Sequence, residues 1–91
     1  MYIDPPVWQL KRECPICSQR SLILCTCENC QKVIAICDED ETIFYNPFDI
    51  SLDTISDKGN DTCPHCSTIG KIRPSKDMEL IQIGLPINDY E

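Results

Sequence analysis

Apolar residues in this chain come in short runs broken by cysteine turns, prolines and acids, so the pattern predicts several brief elements rather than long ones. Residues 21–26 and 32–37 carry two such runs. In the second, Val33, Ile34, Ala35 and Ile36 follow one another, and their mostly β-branched side chains favour strand over helix. The runs flank Cys27-Glu28-Asn29-Cys30, which predicts a hairpin with cysteines at its tip. Residues 42–45 read as a third strand. Asn46-Pro47 can cap and begin a short helix near 47–56, with Phe48, Leu52 and Ile55 on one face, although strand alternation through Phe48, Ile50 and Leu52 competes. Residues 68–73 and 78–84 read as two strands joined by 74–77, a second hairpin. Residues 1–10, interrupted by Pro5 and Pro6, read as an extended arm with Trp8 as a core anchor; 56–62 is a turn-rich loop and 85–91 a loose tail.

These elements make one domain over 1–91, with a thin core. Of the 91 residues 42 % are hydrophobic, and that figure includes eight cysteines. A chain this short needs an external staple to offset its conformational entropy. Six of the eight cysteines fall between Cys14 and Cys37, and the other two are Cys63 and Cys66; Cys14–Cys17, Cys27–Cys30 and Cys63–Cys66 share the spacing Cys-x-x-Cys. At that spacing two thiolates on one tight turn can face a single tetrahedral ion. The first residues show no apolar run of the signal-peptide kind and no stretch is long enough for a membrane span, so a reducing cytoplasmic setting is expected, with metal sites in place of disulfides.

Cys-Pro-x-Cys at 14–17 and 63–66, with Cys-x-x-Cys at 27–30 between predicted hairpins, resembles the zinc-ribbon group, in which metal-binding knuckles sit at hairpin tips. The resemblance spans residues 12–73. It implies a small, metal-stabilised, mostly β fold with two four-cysteine zinc sites; iron is the alternative metal. One departure is plain: zinc knuckles carry Gly after the second Cys, and here Ser18, Gln31 and Ser67 stand there. Strand rise separates Cys17 from Cys27 by as much as roughly 30 Å, which favours a nested pairing. Its outer site is Cys14, Cys17, Cys63 and Cys66, and its inner site is Cys25, Cys27, Cys30 and Cys37, as in double zinc ribbons. A rival joins Cys27 and Cys30 to Cys63 and Cys66, leaving Cys14, Cys17, Cys25 and Cys37; a third joins Cys14, Cys17, Cys27 and Cys30. Asp40, at knuckle spacing after Cys37, is an alternative fourth ligand in place of Cys25. His65, inside a knuckle, is expected to face solvent.

Net charge is −7, from 8 basic and 15 acidic residues. Eight of the acids lie in 38–61 against one base, Lys58, and this acidic insert also carries Phe44, Tyr45 and Phe48. A closed four-thiolate site has no open position for substrate, and no phosphate loop or placed nucleophile–base pair is present, so an enzyme is not expected. The favoured expectation is a non-catalytic zinc adaptor that binds another protein through Phe44, Tyr45, Phe48 and the acids Asp38, Glu39, Asp40 and Glu41. A nucleic-acid surface built from Lys11, Arg12, Lys71 and Arg73 is the alternative; the negative charge opposes it. A rubredoxin-like iron electron carrier is a third reading, from the run between Cys27 and Cys66. No membrane contact is expected.

Overall fold

A computed structural model describes residues 8–16, 18, 22–39, 41–56 and 62–90. The predicted first hairpin is present. Strands β1 (Leu22–Cys27) and β2 (Val33–Cys37) pair antiparallel with Leu22 opposite Cys37 and Thr26 opposite Val33. Strand β3 (Ile43–Phe44) adds to the free side of β2, and β4 (Ile72–Pro74) to β1, giving the order β3-β2-β1-β4 with every pair antiparallel. Pro74 sits on an edge strand, where its missing N–H breaks no ladder. One short helix, α1 (Asp77–Gln82), completes a small, mostly β fold.

Alternation along β1 and β2 sends side chains to two faces. On one, Leu22, Leu24, Val33, Ala35, Cys37 and Phe44 pack with Leu10, Cys14, Leu80, Leu85 and Tyr90. On the other, Cys25, Ile34 and Ile43 are buried, with Ile23, Ile36 and Ile72 beside them. Of the expected arm, residues 1–7 lie outside the described residues, while 8–10 follow the outer edge of β1: Leu10 N–H donates to Leu22 O at 2.9 Å and Leu24 N–H donates to Trp8 O at 2.8 Å. Trp8 packs edge-on against Tyr90, ring centroids 5.4 Å apart, which fits its expected anchoring role.

Three expectations are corrected. Residues 78–84 are helical at their start, not a strand, because Glu79 reaches back to accept the Lys76 N–H at 2.8 Å and grips Arg73 across the turn. The helix ends in a Schellman arrangement: Gly84 at φ +83 donates to Ile81 O, and Leu85 N–H donates to Leu80 O. The tail is not loose over 85–90. Leu85 and Tyr90 are both 4 % exposed, and Tyr90 pairs with Leu10. Finally, the segment 47–56 holds only one 3-10 turn, Leu52–Thr54, capped by Ser51, whose Oγ accepts the Asp53 N–H. Within the acidic insert, Ile43–Phe44 forms β3, inside the third strand expected at 42–45.

Candidate metal centre

Pairing of β4 with β1 sets Cys27 opposite Ile72, and Glu28 N–H donates to Lys71 O at 2.8 Å just beyond the ladder. Chain upstream of β4 must therefore run past the end of β1. That carries the Cys63–Cys66 turn onto the Cys27–Cys30 turn. A pairing between Thr62 and Ile69 closes the base of the second turn.

The result is a cluster of four thiols, Cys27, Cys30, Cys63 and Cys66, with all ligand sulfurs within 4.8 Å of one another. Cys27 and Cys66 sulfurs are 3.6 Å apart, and Cys30 and Cys63 sulfurs 3.5 Å. A tetrahedron with bonds of about 2.3 Å to zinc has sulfur–sulfur edges of about 3.8 Å. The cluster is thus already near the size of a four-thiolate metal site, and the four cysteines can hold a metal ion.

Both turns have the same backbone. Gln31 N–H donates to Cys27 O at 2.7 Å, and Cys27 N–H donates to Lys32 O at 3.0 Å. Ser67 N–H donates to Cys63 O at 2.8 Å, and Cys63 N–H donates to Thr68 O at 3.0 Å. Gln31 and Ser67 take φ +62 and +63, the left-handed conformation that Gly provides in knuckles. The missing glycines change the side chain and leave the turn intact.

Around the sulfurs, His65 N–H donates to Cys63 Sγ at 3.4 Å, Asn29 Nδ2 donates to Cys66 Sγ at 3.5 Å, and Thr68 Oγ1 lies 3.3 Å from Cys66 Sγ. Thr68 and then Asn29 pull the Cys66 thiol down to about 5. Burial, reinforced by the neighbouring thiols, pushes Cys30 up to about 12, and burial also raises Cys63. One thiolate forms readily and others are resisted, chiefly because burial penalises the charged form. A dication would reverse that penalty. In the sequence, Asn29 and Thr68 are marked only by their places inside and just after the knuckles.

The nested pairing is corrected. Cys63 and Cys66 meet Cys27 and Cys30, as in the rival pairing. Cys37, opposite Leu22, is five residues of β1 away from Cys27, about 17 Å at strand rise, too far to share an ion. Cys25 lies among Ile34 and Ile43 on the isoleucine face, 8 % exposed, and burial pushes its thiol up to about 11. Cys14 and Cys37 are both fully buried in the other core cluster. Cys17 and Asp40 lie outside the described residues. His65 is exposed and stands outside the four-thiol group: its Nε2 donates to Tyr45 O at 2.9 Å, and the two rings meet edge-to-face at 6.2 Å.

The expected binding residues part ways. Phe44 is fully buried and cannot anchor a partner. Tyr45 and Phe48 are exposed at 39 % and 46 %, joined by Leu52 at 67 %. Asp38, Glu39 and Glu41 are exposed. Of the four bases, Arg73 is committed to an internal ion pair with Glu79 (2.6 Å) and to Glu28 (3.5 Å). Lys71 and Arg73 adjoin the four-cysteine centre, while Lys11 and Arg12 follow Leu10 at the opposite end of β1, so the four do not converge.

Among the described residues no helix is long and apolar enough to cross a membrane. No protein-family model, curated protein or solved structure matches this chain.

Proposed function

We propose that this protein is a non-catalytic zinc-binding module that presents residues 45–53 to another protein. Four thiolates at tetrahedral spacing fill a zinc ion's coordination, which leaves no position for water or substrate and suits a structural ion. The observation that carries the binding role is the clamp between His65 and Tyr45. It sets Tyr45 against the Cys63–Cys66 turn, and the Tyr45 hydroxyl donates to Asp53 O at 3.2 Å, across a segment whose Phe48 and Leu52 side chains are also exposed. The exposed carboxylates Asp49 and Asp53 lie among them. An exposed apolar segment edged by acid matches a partner with an apolar pocket and a basic rim, and such association weakens with salt.

The test uses the zinc-loaded chain and its Phe48→Ala/Leu52→Ala variant as parallel affinity baits. A protein held by the wild type at low salt, released at high salt and absent from the variant supports the reading. Identical captures from both baits, or tight oligonucleotide binding at physiological salt, contradict it. Elemental analysis is part of the same test: zinc and no colour are expected, whereas iron and a red colour would move the protein to the electron carriers.

A further inference from the structure

Non-glycine residues at positive φ are uncommon, since Cβ crowds the backbone there. Among the described residues there are four: Ser18, Gln31, Glu41 and Ser67. Gln31 and Ser67 close the two knuckles of the four-cysteine centre. Glu41 closes a turn with the same hydrogen bonds. Its N–H donates to Cys37 O at 2.8 Å, and Cys37 N–H donates to Thr42 O at 2.9 Å. The φ of Glu41 is +61. Ser18, at φ +60, donates to Cys14 O at 2.8 Å.

Cys14 and Cys37 therefore each open a knuckle, in the position that Cys27 and Cys63 hold in theirs. The fourth position of each of these turns carries a metal-ligand residue type in the sequence, Cys17 after Cys14 and Asp40 after Cys37. Both knuckles belong to one end of the sheet. Cys37 ends β2 opposite Leu22, Leu22 O accepts the Leu10 N–H, and Cys14 follows Leu10 by four residues. Cys14 and Cys37 share one core cluster and are fully buried, as Cys27 and Cys63 are.

We infer that the chain carries a second metal centre, a zinc ion held by Cys14, Cys17, Cys37 and Asp40, at the end of β1 opposite the four-cysteine centre. Cys17 and Asp40 enter by their spacing alone. Three thiolates and a carboxylate oxygen are an acceptable tetrahedral set for zinc. The assignment also accounts for the eighth cysteine: Cys25 lies on the isoleucine face, away from both ends, and is a packing residue.

The inference rests on the four-cysteine cluster being a metal site, and a metal count on the reduced full-length protein separates the two. Native mass spectrometry is expected to show two zinc ions per chain. One ion overturns the second centre and leaves the first; none overturns both. Zinc-edge absorption on the wild-type protein then reads the ligands without any variant. Four sulfurs at one ion and three at the other average about 3.5 sulfurs and 0.5 light atoms per zinc, whereas four sulfurs at both would remove Asp40. Asp40→Asn should weaken one ion by tenfold or more and spare the other. Asp40→Cys and Cys25→Ala should each keep two ions. Loss of an ion from Cys25→Ala with none from Asp40→Asn would overturn the ligand set.

Discussion

Replacing Glu79 by Gln removes the negative half of a pair that ties α1 to β4. Its carboxylate accepts Arg73 Nη1 at 2.9 Å and Nη2 at 2.6 Å, the Lys76 N–H at 2.8 Å and the Thr26 hydroxyl at 3.2 Å. Arg73, its guanidinium made harder to deprotonate by these bonds, also reaches Glu28 in the first knuckle. The hydrogen bonds from Arg73, then that from Lys76, hold the Glu79 carboxyl down at about 2 against an ordinary 4.5. Such a shift corresponds to about 3 kcal/mol, at about 1.4 kcal/mol per unit. Side chains 22 % and 29 % exposed are screened by water, so about 2 kcal/mol is expected in practice. Gln still accepts from Lys76 and Thr26, which keeps the change local to the charge.

Urea denaturation at a fixed free zinc concentration measures this, because the metal's linkage contribution is then the same for all variants. A cycle with Arg73→Met and Glu79→Gln should give a coupling of about 1–2 kcal/mol. A depressed carboxyl contributes stability that is fully present above about pH 4.5 and is lost as pH falls toward about 2. The gap between wild type and Glu79→Gln should thus be constant from neutrality to about pH 5 and close below it. Additive single variants, or a gap that widens with acid, would refute the reasoning.

Further perturbations probe the core, the knuckles and the helix end. Phe44→Ala, which empties a fully buried site, should cost about 3–5 kcal/mol, whereas exposed Phe48→Ala should stay within about 0.5 kcal/mol; chemical denaturation of both reads the contrast. Ser67→Gly relieves a left-handed residue and should raise thermal stability by up to about 1 kcal/mol, while Ser67→Val should lower it. Gly84→Ala has open space for its Cβ but a φ of +83, so melting should report a loss of about 1 kcal/mol from backbone strain alone.

Local pattern carried part of this structure. The mostly β-branched run at residues 33–36 and its partner at Leu22–Leu24 announce a hairpin, and Cys-x-x-Cys spacing announces the knuckles whether or not Gly follows. The cysteine pairing was decided by long-range register instead. The strand-rise argument that separates Cys17 from Cys27 applies equally to Cys37, and the Leu22–Cys37 pairing makes that separation real. Helix α1 was obscured because Met78, Leu80 and Ile81 also suit a strand. Its start depends on the tertiary grip of Glu79 on Arg73, although Gly84 was a readable stop. Phe44 and Phe48 look alike in sequence, and only the pairing of Phe44 with Ala35 sends one inward and leaves the other in water.

The account depends most on thiolate-bound metal holding these short strands together, since binding of that kind is worth on the order of 10 kcal/mol, comparable with a domain's whole stability. Titrating zinc into the reduced, metal-free chain while recording amide dispersion tests this directly. Collapsed, unfolded-type spectra that resolve into a dispersed β pattern as ion is added are predicted. A fully dispersed spectrum before the first addition would contradict the account.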